Sequence, residues 1–194
     1  MNTRIMLTAT AGATLIASGA FGQTTYSGGG GALVDSGVAS FTIDVADDLA
    51  IDSFKDVVLQ GFSHTWAGDL IITLEHGGTT VTLLDRPGNP ESTFGDSADF
   101  DGSDYTWTDT GFVYDADLFG STVPSADPFA PTGGALANFD GMNVGGDWTL
   151  SISDNAGGDT GSLGGWSFTA NLIPAPGALA LLGLAGVVGR RRRR

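Results

Sequence analysis

The sequence predicts an all-β sandwich, on three observations: short stretches of period-two alternation, turn residues clustered between them, and no sustained helical apolar stripe in the central part. Phe41-Thr42-Ile43-Asp44-Val45 alternates cleanly, as a strand with one buried face must. Leu70 to Leu74 does so in part, and Val81-Thr82-Leu83 follows after a short gap. Trp148 to Ser153 and Trp166 to Leu172 repeat the pattern near the end of the domain. Between them lie His76-Gly77-Gly78, Arg86-Pro87-Gly88-Asn89-Pro90 and the Asp154 to Gly161 segment, which carry turn chemistry. Two layers of sheet bury such alternating strands most economically.

Charge and cysteine content bound the function. All 22 acidic residues lie between Asp35 and Asp159, against two basic ones, Lys55 and Arg86, between Gln23 and Ile173, so that segment carries a formal charge of −20. Such a surface repels nucleic acid and anionic headgroups and favours cations. The chain has no cysteine, so the domain stands without disulfides, which its size permits. All the acids but Glu75 and Glu91 are Asp, the residue that caps turns and ligates calcium from loops.

The two termini read as trafficking signals. Met1 to Gly22 combines an early Arg4, an apolar stretch from Ile5 to Ala20 and small residues before a cut between Gly22 and Gln23, a secretory signal peptide. The glycine run in residues 23–35 has linker composition. At the other end stand Pro174-Ala175-Pro176, an apolar run at residues 177–189, and Arg190, Arg191, Arg192, Arg193 and Arg194. The apolar run falls somewhat short of a comfortable span, and the arginines would be held on the cytoplasmic side. This segment, residues 173–194, resembles the PEP-CTERM sorting tail of bacterial surface proteins, with Ala175 where that motif usually has Glu. The resemblance implies Sec-type export, signal peptidase and an exosortase-like sorting enzyme. It implies a chain held in the bacterial inner membrane, transiently or stably, by a C-terminal helix, and then delivered to the cell surface or matrix. A nucleic-acid role for the arginines is rejected, because they abut an apolar stretch and oppose an acidic domain.

Two blocks carry a second resemblance. The first is Val57-Val58-Leu59-Gln60-Gly61-Phe62-Ser63-His64-Thr65-Trp66-Ala67-Gly68-Asp69-Leu70-Ile71-Ile72-Thr73-Leu74, followed by Thr79 to Leu84. The second runs through Phe139-Asp140-Gly141, Gly146 to Asp154, Gly158 to Leu163 and Gly165-Trp166-Ser167-Phe168. In order and spacing they resemble the P domain, or Homo B domain, of subtilisin-like proprotein convertases, over residues 36–172. The resemblance implies a jelly-roll β-sandwich like galactose-binding folds. It does not bring a protease: a subtilisin-type site needs a serine, a histidine base and an orienting aspartate on a large α/β domain. Ser63 and His64 are strand neighbours that point to opposite faces, so they form no nucleophile and base pair. His64 reads as a structural residue tying its loop to the Gly68-Asp69 turn.

Two groups of candidate site residues follow. Asp96, Asp99, Asp101 and Asp104 crowd around Gly102, the kind of arrangement that holds Ca²⁺, though the spacing is not that of an EF-hand. Asp154 and Asp159 form a second acidic loop, where capping of turn amides competes with calcium binding. For both loops a solvated acidic surface stays open as the alternative. Trp66 and Trp107, in loop-like surroundings, are the candidate surface contacts for a ligand, although Asp104 to Asp109 also alternates like a short strand, which would equally bury Trp107; Trp148 and Trp166 are expected in the core.

Three functions follow. The first is a non-catalytic surface or matrix protein whose sandwich binds extracellular polysaccharide, another partner or calcium. A carbohydrate-binding module is one form of it. The second is an accessory domain acting in trans on a separately encoded subtilisin-like protease. The third, an enzyme such as a glycoside hydrolase, is weakest, because no carboxylate pair is placed at a cleft by sequence.

Overall fold

The computed structural model describes residues 22–90, 92–114 and 120–174. The signal-peptide residues before Gly22, and the sorting tail with its membrane helix beyond Pro174, lie outside them. Among the described residues no helix is long and apolar enough to cross a membrane.

The described residues form an all-β sandwich of ten strands: β1 (Gly22–Ala32), β2 (Val38–Val45), β3 (Ala50–Gln60), β4 (Ser63–His64), β5 (Leu70–His76), β6 (Thr79–Asp85), β7 (Phe100–Asp101), β8 (Tyr105–Phe112), β9 (Gly146–Asp154) and β10 (Gly161–Ile173). One sheet has the order β2-β9-β5-β6, all antiparallel. In the other, β10 pairs with β1 along one edge and with β3 and β4 along the opposite edge, and β8 and β7 extend β3 and β4 outward.

Alternation decides what is buried. Val57 and Leu59 of β3, Ile72 and Leu74 of β5, Trp148, Leu150 and Ile152 of β9 and Trp166 and Phe168 of β10 all turn into the core. Trp148 lies 4.3 Å from Phe168 and 5.0 Å from Phe139 between ring centroids, and His76 stacks on its other side at 3.9 Å. Burying each of these rings stabilises the fold by about 1.5–3 kcal/mol. The β5–β6 hairpin closes on Gly77 and Gly78, with φ of 56° and 81°, the left-handed pair that a two-residue turn requires.

The glycine-rich stretch corrects an expectation. Residues 23–32 are strand, not linker: Gly22 to Ala32 runs antiparallel to β10 in a register that sets Gly22 against Leu172 and Ala32 against Ser162. The glycines let the strand lie close. A Cβ on Gly28 would stand 2.7 Å from Ile43, and one on Gly30 would stand 2.1 Å from the Leu163 carbonyl oxygen. Glycine composition alone does not separate a flexible linker from a strand that must approach its neighbour.

Trp107 is a second correction. It is fully buried, not a surface contact, because β8 turns Tyr105 and Trp107 inward together and Phe129 covers Trp107 at 5.7 Å.

Candidate functional site

The framework motif at residues 63–70 builds one pole of the sandwich. His64 is 1% exposed and points inward from β4. Its Nδ1 lies 2.9 Å from the Trp66 carbonyl oxygen and accepts at 3.2 Å from the Trp66 amide, while Nε2 faces Asp154 Oδ2 at 3.4 Å. Asp154 also accepts from the Ala156 amide at 3.2 Å. His64 thus joins its own loop to the acidic loop after β9. Its nearest serine, Ser63, hydrogen-bonds Ser162 instead, at 3.0 Å.

Asp69 lies beside this pair and is 3% exposed. Its backbone carbonyl accepts from the Asn155 amide and side chain, each at 2.9 Å. Burial pushes its carboxyl above the usual range, and the charges of Asp154 and Asp159 add to the rise, against opposing effects of His64 and Arg86.

The other acids of the pole mainly hold turns together. Asp96 accepts from Tyr114 at 2.6 Å and from the Ala98 amide at 3.0 Å. Asp101 accepts from the Tyr105 hydroxyl at 2.9 Å and the Ser103 amide at 3.0 Å. The Ser103 and Tyr105 hydrogen bonds hold the Asp101 carboxyl below the usual range, and burial pushes the Tyr105 hydroxyl up to about 12, so it remains a donor. Asp104 accepts from the Gly61 amide at 2.8 Å, and Asp159 from the Thr65 hydroxyl at 2.8 Å. Asp99 receives no side-chain hydrogen bond from the described residues, although its backbone bridges to Thr122. Among the described residues no three His, Cys, Asp or Glu side chains gather as a metal-ligand set. The prevalence of Asp over Glu matches these short reaches: Asp109 caps the Leu136 and Ala137 amides and Asp140 the Phe54 amide in the same way.

Beside these residues lies an open groove of ≈390 Å³. Its walls include Ser63, Thr65, Asp99, Asp101, Thr160 and Ser162, with no Lys or Arg among the lining residues. Trp66, which follows Thr65 in the chain, is half-buried, with its indole N–H donating to the Phe94 carbonyl at 2.6 Å. Sequence reasoning singled out Asp99 and Asp101 but not the hydroxyls facing them. The missed signal is alternation: Ser63 and Thr65 flank buried His64, and Asp99 and Asp101 flank buried Phe100.

Such a surface can accept and donate hydrogen bonds to a polar ligand. Its serine next to His64, Ser63, bonds the Ser162 hydroxyl and not the imidazole. A family model, described as the proprotein convertase P-domain, matches residues 57–170. No curated protein matches the chain.

Proposed function

Because the chain belongs to the proprotein convertase P-domain family, a family of non-catalytic modules that accompany subtilisin-like proteases, we propose that it is an exported, non-catalytic binding module held at a bacterial cell surface by its C-terminal tail. In this account the two sheets are a jelly roll of the galactose-binding kind, and the leader is removed between Gly22 and Gln23. The position of the two chain ends carries the proposal. Gly22 and Leu172 are register partners, which supports a leader and a tail that would depart from the same end of the domain. The polar groove begins at Thr160 to Ser162, at the other end of β10. Ten residues of strand separate Ser162 from Leu172, roughly 33 Å at the rise of a β-strand. A tail inserted in a membrane would therefore leave the groove facing away from it.

Fractionation of cells producing the full chain and a chain ending at Ile173 tests this. The full chain is expected with the envelope and the shortened one in the medium. Retention of both in the cytoplasm would contradict export, and equal release of both would contradict anchoring.

The family match favours a second reading, an accessory domain for a separately encoded subtilisin-like protease. Co-purification of such a protease with the full chain, and loss of its activity without it, would establish that role.

A further inference from the structure

The groove has an order that the list of its residues conceals. β4 lies between the start of β10 and β7, with Ser63 opposite both Ser162 and Asp101. One row across the three strands is therefore Asp101, Ser63, Ser162. Continuing the register by two residues brings Thr65 between Asp99 and Thr160, as the hydrogen bond from the Thr65 amide to the Thr160 carbonyl at 3.3 Å requires. Thr122, bridged to Asp99 on its far side, extends this second row. Buried His64 and Phe100 lie between the rows and point the other way. Each row thus presents one carboxylate followed by hydroxyls, at the strand spacing of about 4.8 Å.

We propose that this two-row lattice is a binding site for a neutral polysaccharide segment lying across the strands. The proposal deepens the binding-module account above and rests on it. The spacing across the strands is close to the length of one extended pyranose residue, so successive sugars would meet successive strands. The Thr65 hydroxyl already donates to Asp159 and accepts from the Thr160 amide, so among the described residues the hydroxyls left to match those of a sugar are Thr122, Thr160 and the Ser63–Ser162 pair, which keeps one hydrogen to donate, and a carboxylate accepts from a neighbouring pair of sugar hydroxyls. Among the described residues no side-chain or amide donor bonds the Asp99 carboxylate, and the Ser103 and Tyr105 hydrogen bonds hold the Asp101 carboxyl below the usual range. The lining has no Lys or Arg and the domain is strongly acidic, so uronic-acid chains are repelled. Next to Thr65 in the chain, Trp66 donates its indole N–H to the carbonyl of exposed Phe94, and in this proposal the Phe94 ring is the one that would pack on the apolar face of a sugar.

The test is titration of the purified full chain, in detergent, with hexasaccharides of glucose, mannose, galactose, glucosamine and galacturonic acid, and with a lysine-rich peptide, each in chelator and in excess calcium. At least one neutral hexasaccharide is expected to bind equally with and without calcium, and galacturonate not to bind. Asp99→Ala and Phe94→Ala are each expected to weaken binding about tenfold. Ser40→Ala, on the other sheet, is expected to change nothing. If Asp99→Ala does not fold, Asp99→Asn and Phe94→Ala decide the matter, since Phe94 is 68% exposed and supports no core. Four results would each overturn the proposal: no binding of any neutral sugar, binding that needs calcium, binding of the basic peptide alone, or neutral-sugar binding that ignores both substitutions. None of them bears on export or anchoring, which fractionation reads separately.

Discussion

Gly22 stands opposite Leu172 in the β1–β10 ladder, so the chain enters and leaves the sandwich at one end. The same ladder sets Ala32 against Ser162 at the other end, beside the polar groove. A single long strand pairing therefore sets residues 22 and 172 at one end of the domain and the groove at the other. The predictions below test the parts of that arrangement.

Gly30→Ala is expected to lower stability by about 1–3 kcal/mol, the usual range for overpacking. The new methyl would stand 2.1 Å from the Leu163 carbonyl oxygen. Gly29→Ala meets nothing within 4 Å and is expected to be tolerated. Chemical denaturation of the two variants separates strand from linker, because a linker would accept both changes equally.

His64→Leu is expected to cost about 1–3 kcal/mol, because it removes the buried contact with Asp154 and leaves that carboxylate only the Ala156 amide. Adding Asp154→Leu is expected to cost less than the sum of the two single changes. A double-mutant cycle checks this, and full additivity would show that the contact carries no energy.

Asp69 makes stability depend on pH in the direction opposite to that of an ordinary paired carboxylate. Its folded pKa is raised, chiefly by burial, so between the unfolded value of about 3.9 and the folded value the folded state binds more protons. Stability falls as pH rises through that window and is level above it. Asp69→Asn is expected to remove this fall, leaving the variant at least as stable as the parent at neutral pH. Parallel unfolding curves from pH 3 to pH 7 measure the difference. A variant less stable than the parent at neutral pH would contradict it.

Much of the sandwich was legible in the sequence, because strands with one buried face must alternate. Ile43 and Val45, Leu150 and Ile152, and Trp166 and Phe168 are buried as that rule requires. β1 was illegible for the converse reason: its glycines have no side chains to alternate, and the contacts that require them come from Ile43 in the next strand and from Leu163, far away in sequence. Trp107 stayed undecided because the alternation of Asp104 to Asp109 allows a strand but does not say which face is covered, and the ring that covers Trp107 belongs to Phe129 in a later segment. The acidic residues were visible, but their division of labour was not. Asp101 and Asp104 hold turns, while among the described residues no amide bonds the Asp99 carboxylate, a distinction set by which backbone amides the fold brings near.

The chain has no cysteine, which permits the most direct test of a groove turned away from the anchoring surface. Single substitutions Thr122→Cys, in the groove, and Gln23→Cys, beside the tail exit, would be exposed on intact cells to a membrane-impermeant, polymer-bearing maleimide. The account predicts ready labelling at position 122 and much slower labelling at position 23, with equal labelling once the protein is released in detergent. Equal labelling of both on intact cells, or labelling of neither until the cells are broken, would contradict it.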